Sequence, residues 1–382
     1  MSPPPDSERS APVHAFDDPE ASRVTRSESL AEGEALRSAT FASFGAKEST
    51  KSGAVLAGRY QVRGFLMHGA TARVYLAEDL ATRAPVVVKM LSPETVTSAE
   101  FRSRLMREAE AATAIVHPNV VTVLDTGHTD DGAPFLVMEA LLGESLGEYL
   151  RREGKIPFDT ALILLRQAAA GLAAAHRAGV IHRDVKPDNF LLLGPPGEPF
   201  GLKVIDFGLA KLWNASNTNA SAAHHILGTA EYMAPEQILV EAVDPRSDVY
   251  SLGVVMFRVF TGHLPFESVG QADLLRHQLF SPVPPPSWLN DELDPRVDRV
   301  VQRATRKHHE NRYPTMDAVI ADLDALLGLD AGEVATATLA VTPDSYVPST
   351  ERGREAAALL AEKFGEHASV APPRVGSPRS TR

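Results

Sequence analysis

The sequence predicts an α+β chain of two lobes, a small antiparallel sheet carrying one helix and a larger, mostly helical part. Three observations point that way. From Arg59 to Glu139 short segments rich in Val, Tyr and Leu are separated by turn residues, as in a meander of strands. From 140 to about 328 apolar residues recur at three- and four-residue steps, the period of helices with a buried face. Outside those limits neither period is sustained.

The elements follow in order. Residues 1–57 are rich in Ser, Pro, Ala and Glu and are expected to be disordered. Strands are expected at "RYQVRGFL", "RVYLAEDL" and "APVVVKML", then a helix over "SAEFRSRLMREAEAATAIV", then strands at "VVTVLDTG" and "PFLVMEAL". The small lobe thus covers 58–139 and the larger one 140–328. In the latter, Leu162, Leu165, Ala169 and Leu172 mark the buried face of a helix that Gly179 stops. "SDVYSLGVVMFRVFTG" is apolar on nearly every side, so its helix runs through the core. "SPVPPPSW" reads as a loop, and residues 329–382 as a low-complexity tail holding one short helix at "REAAALLAEKFGEH".

Composition narrows the function. The 382 residues, 44% hydrophobic and 23% charged, are those of an ordinary globular protein. A net charge of −11 argues against nonspecific nucleic-acid binding. There is no cysteine, hence no disulfide and no thiolate metal site. The N-terminal twenty residues hold no apolar run, and "VYSLGVVMFRVF" is too short to span a bilayer. A soluble, cytoplasmic protein without a membrane span is the expectation.

Chemistry concentrates in three motifs. "IHRDVKPDNFLL" fixes His, Arg, Asp, Lys and Asn at set spacing, a coincidence of roughly one in ten thousand at ordinary residue frequencies. "VIDFGLAK" lies about twenty residues on, and "GTAEYMAPEQ" follows at a loop's length. On these motifs the chain resembles a bacterial, eukaryotic-like serine/threonine protein kinase over Arg59–Leu327, with that family's bilobal fold. The resemblance implies ATP and Mg²⁺, or Mn²⁺, as cofactors and proteins bearing Ser or Thr as substrates, the chain itself included. It also allows dimerisation for autophosphorylation.

Residue by residue, the resemblance implies these roles. Asp184 orients the acceptor hydroxyl, and Lys186, typical of Ser/Thr kinases, sits on the transferring phosphate. Asn189 and Asp206 supply hard oxygen ligands to the metal. Lys89 in "VVVKM" contacts the α and β phosphates and pairs with Glu108 in "LMREAE". Leu66 and Val74 lie above the adenine and Leu191 below it. Met138 is the gatekeeper, with hinge backbone from Glu139 to Leu141. In the loop "LAKLWNASNTNASAAHHILGTAEYM", Ser216, Thr218 and Ser221 are phosphorylation candidates facing Arg183, and Thr229 touches the catalytic aspartate. Glu236 is expected to pair with Arg312, and Asp248 to cap the catalytic-loop backbone. His224 and His225 lack a third metal ligand and read as solvated.

The pattern breaks in "FLMHGATARVYLAED". The family's three glycines fall at Met67, Gly69 and Ala72, and the small residue above adenine is Val87. These changes remove no charge that phosphoryl transfer needs, so a weaker or stiffer clamp on ATP is expected. They are also the support for a rival reading, a pseudokinase-like scaffold.

Overall fold

The computed structural model describes residues 53–68, 72–91, 107, 109–130, 132–141, 143–193, 201–207, 230–267 and 270–328. Six strands form one antiparallel sheet: β1 (Val55–Leu56), β2 (Tyr60–His68), β3 (Ala72–Asp79), β4 (Pro85–Leu91), β5 (Val123–His128) and β6 (Pro134–Glu139). Their order across the sheet is β1-β2-β3-β4-β6-β5. β1 lies in the stretch that the sequence reading assigned to disorder. It has two residues between Gly53 and Gly58, both with positive φ, too few to show an alternation.

Alternation gives the sheet two faces. Tyr75, Ala77, Val86, Val88, Phe135 and Val137 pack with Tyr60 and Val62 into an outer cluster. The register sets Val74 opposite Lys89, Lys89 opposite Leu136, and Val87 opposite Met138, so these five share the other face. The sheet is strongly curled: the Tyr60 hydroxyl on β2 donates to Asp125 on β5, four strands away, at 2.5 Å.

Among the described residues the larger lobe has seven α-helices: α1 (Leu146–Glu153), α2 (Phe158–Arg177), α3 (Pro235–Ile238), α4 (Pro245–Thr261), α5 (Gln271–Phe280), α6 (Pro295–Ala304) and α7 (Met316–Leu326). Asp244 caps α4, accepting from Arg246 N–H, and Gly262 ends it in the left-handed conformation. Its residues from Ser247 to Phe257 are all buried, as its all-round apolarity implied. α2 ends at Arg177, and Gly179 two residues on has φ +77. Among the described residues α2 is the one helix long and apolar enough to cross a membrane; here it packs on α4, α7 and β9.

A second sheet, β7 (Gly143–Ser145), β8 (Phe190–Leu193) and β9 (Gly201–Val204), was not anticipated. Its strands have three or four residues, below the length at which period 2 separates from a buried run. The Pro-rich loop likewise contains a 3₁₀ turn, Pro286–Trp288.

Backbone hydrogen bonds join the lobes at Asn119–Val121. Val120 bridges Val204 in parallel, Val121 N–H donates to Val204 O at 2.9 Å, and Val204 N–H donates to Asn119 O at 2.8 Å. The Asn119 amide donates to Leu202 O at 2.8 Å. Gly171 of α2 lies beneath: a Cβ there would stand 2.5 Å from Asn119 O, so only glycine lets α2 approach.

Val240, just past α3, is β-branched and has φ +55, a conformation that costs about 1–2 kcal/mol for an ordinary residue. Its side chain is 44% exposed and offsets little of that cost. Val240→Gly is therefore expected to stabilise the fold by about 1 kcal/mol, measured as a rise in the urea midpoint at constant m.

Candidate active site

The site forms where the cleft face of the small lobe meets the loop before β8. That loop is held from below by one carboxylate. Asp248, 1% exposed on α4, accepts from His182 N–H and Arg183 N–H, each at 2.8 Å. It also binds His176 Nε2 at 2.7 Å. Three donors on one buried carboxylate offset the cost of burying its charge. They also hold Arg183 at φ +63, a conformation such a residue adopts only when its surroundings enforce it.

His182 sets the next tier. It is fully buried, and its Nε2 lies 3.1 Å from Ile205 O, an acceptor only, so Nε2 carries the proton. Nδ1 then accepts from Asp184 N–H at 3.2 Å. The imidazole is thus a neutral bridge between the Asp184 loop and the segment ending at Asp206, and burial lowers its pKa. Burial likewise lowers His117 and His277. With folded-state values below the ordinary 6.5, the unfolded chain binds protons that the folded chain refuses as pH falls past 6.5. Stability should therefore be full above that pH and decline below it, by at most about 1.4 kcal/mol per pH unit per histidine. Urea midpoints measured from pH 8 to 5 check this.

On that base the polar groups converge. The Asn189 amide donates to Asp184 O at 2.7 Å and to Asp184 Oδ2 at 3.1 Å. Lys186 Nζ lies 3.0 Å from Asp184 Oδ2. Across the cleft Lys89 on β4 is paired with Asp206 Oδ1, and Asp206 has φ +60. The Asn189 nitrogen is spent on Asp184, which leaves its side-chain oxygen; that oxygen and the Asp206 carboxylate are both hard donors of the kind Mg²⁺ takes.

Glu108, Gly69, Ser216, Thr218, Ser221 and Thr229 lie outside the described residues, as do the two tails and the histidines at 224 and 225. Lys89 is therefore seen with Asp206 as its partner.

Leu66, Val74, Val87 and Leu191 are half-buried on β2, β3, β4 and β8. Behind Met138 a small cavity is lined by Lys89, Ala112, Val121, Val123, Leu136, Asp206 and Phe207. The two residues standing where glycine was expected differ. Met67 opposes Val74 across a bulge and is 60% exposed, so its side chain fills no part of the core. Ala72 is buried in the core cluster opposite Leu91, so its methyl is part of the packing.

Beyond Met138, Glu139 has its backbone N–H on Thr122 O. Its carboxylate accepts from Thr122 N–H at 2.8 Å and Lys203 Nζ at 2.7 Å. Burial pushes this acid up, but those donors outweigh it and its pKa is lowered. Leu141 follows as half-buried coil.

Sequence reasoning missed His176 and Lys203. A helix-end histidine and a lone strand lysine carry no local signal; both acquire partners through contacts 72 and 64 residues away.

The remaining pair is structural. Arg312 is 3% exposed and donates from Nη1 to Glu236 Oε1 at 2.7 Å and from Nη2 to Oε2 at 2.9 Å. Ser247 Oγ donates to Glu236 as well. Burial raises the Glu236 pKa, the guanidinium more than reverses it, and the net shift is downward.

Comparison with known proteins agrees with this geometry. The protein kinase domain family matches residues 60–321. The chain is 34% identical over 278 residues to serine/threonine-protein kinase pkn3 of Myxococcus xanthus, covering 72% of this chain and 51% of that protein. It is 37% identical over 273 residues to serine/threonine-protein kinase PknL of Mycobacterium tuberculosis, covering 72% and 67%. The chain thus spans about half to two thirds of these relatives' length. The kinase domain of Mycobacterium tuberculosis PknI superposes with a TM-score of 0.57 at 26% identity, covering 72% of this chain and 98% of that domain. With matched motifs, a bilobal fold and relatives that agree, this chain belongs to the protein kinase domain family.

Proposed function

We propose that the protein is an ATP-dependent serine/threonine protein kinase that transfers the γ-phosphoryl group to Ser and Thr hydroxyls of proteins, its own loop among them. The carrying observation is the convergence of Asp184, Lys186 and Asn189 in one hydrogen-bonded set facing the Lys89–Asp206 pair. Magnesium-bound ATP, or its manganese form, supplies the phosphoryl group and the cation that neutralises it.

The rest is positioning and charge compensation by the chain. Asp184 receives the hydrogen bond, and then the proton, of the acceptor hydroxyl. Lys186 neutralises anionic charge on the acceptor side. Asn189 and Asp206 would hold the metal, whose charge would offset that of the phosphates, and Lys89 would supply a further cation to the phosphate oxygens. Glu108 orients Lys89. Leu66, Gly69, Val74, Val87, Met138 and Leu191 enclose the adenine against the hinge at Glu139 and Leu141. Phosphate on Ser216, Thr218 or Ser221 pairs with Arg183, and Thr229 completes the acceptor's seat. Two copies meeting loop to cleft give autophosphorylation in trans, in the cytoplasm where ATP and protein acceptors are found.

Incubation with labelled ATP and Mg²⁺, beside an Asp184→Asn control, tests this. Label on Ser or Thr between 208 and 229 of the wild type, and its absence from the control, is the expected result. No label, or equal label in both, would overturn the reading.

A further inference from the structure

The turn Ala230–Tyr232 and the start of α3 run alongside the catalytic loop, and two glutamine amides hold this segment from opposite sides. On the loop side, Gln237 Oε1 accepts from Ala234 N–H at 3.1 Å while its Nε2 donates to Arg183 O at 2.9 Å. Arg183 is the neighbour of Asp184. On the far side, Gln278 of α5, fully buried, donates from Nε2 to Glu231 O.

The far amide has a fixed sense. Lys307, also fully buried, can only donate, and it does so to the Tyr250 hydroxyl at 2.8 Å. Tyr250 therefore passes its own proton to Gln278 Oε1, which turns the amide nitrogen onto Glu231 O. A flip would set two oxygens face to face around a fully buried side chain, at the cost of an unsatisfied buried group. An ammonium three groups away thus fixes the orientation of a backbone carbonyl next to the catalytic loop.

We infer that the Lys307–Tyr250–Gln278 relay positions the 230–234 segment as the wall against which a protein acceptor rests, making Gln278 a positioning residue for the protein substrate and not for the nucleotide. Any hydroxyl brought to Asp184 brings its flanking chain past Arg183, to which Gln237 ties the end of this segment. Arg258, donating to the Tyr232 hydroxyl, holds the same turn from α4. The inference rests on the kinase reading above.

Gln278→Met keeps the volume and loses the amide; Gln278→Glu keeps the Tyr250 acceptor and loses the donor. With myelin basic protein as acceptor, both should raise the acceptor KM about tenfold and leave the ATP KM within about twofold. In the nucleotide-free protein, hydrogen exchange at residues 230–234 should quicken while that of α4 does not. An unchanged acceptor KM, both KM values rising together, or unchanged exchange would overturn the relay. If Gln278→Met fails to fold, Lys307→Met is measured instead, with the same expectation. A wild type that phosphorylates nothing defeats the kinase reading, and exchange then decides the relay alone.

Discussion

Asp184→Asn is expected to lower kcat about a thousandfold, in the range of a lost general base, while the melting temperature and Mg·ATP binding by calorimetry stay near wild type. The change is nearly isosteric, so the fold has little to notice. Its effect is chemical. Asp184 Oδ2 accepts from Asn189 at 3.1 Å and lies 3.0 Å from Lys186 Nζ. An amide there either turns its nitrogen against those two donors or leaves no lone pair for the acceptor hydroxyl. Asp184 O, which takes the stronger Asn189 bond at 2.7 Å, is untouched, so the loop keeps its shape. A loss of less than about tenfold would deny Asp184 the role of base.

Arg312→Leu is expected to destabilise the protein by about 3–5 kcal/mol, the cost of stranding a buried charge. Glu236 is 2% exposed and would lose both guanidinium bonds. The damage goes further, because Arg312 also donates to Arg306 O, Arg246 O and Lys307 O. Glu236→Gln, which keeps the size and removes only the anion, should cost distinctly less. Urea unfolding of the pair decides it; equal losses in the two variants would show that the backbone carbonyls contribute nothing.

Much of this was legible in the sequence because the signals are local. Short apolar runs between turn residues identified β3 and β4, and the folded register is what puts Val74, Val87 and Lys89 on one face. The apolarity of α4 declared its burial. The loop from His182 to Asn189 could be read because its own groups lie within eight residues, as where Asn189 reaches back five residues to Asp184. What escaped depends on separation or brevity. The β7–β9 strands are too short for a period, and β1 is two residues long. His176 and Lys203 acquire meaning only when α2 meets α4 and β9 meets the hinge. Met67 illustrates a different gap: a lost glycine says that a side chain is present, while the bulge beside it and its exposure are properties of the folded sheet.

The seam at Asn119, Val120 and Val204 fixes how the molecule can breathe. Any relative motion of the two sheets has to accommodate that joint. A side chain added at Gly171 would press on Asn119 O and disturb it first.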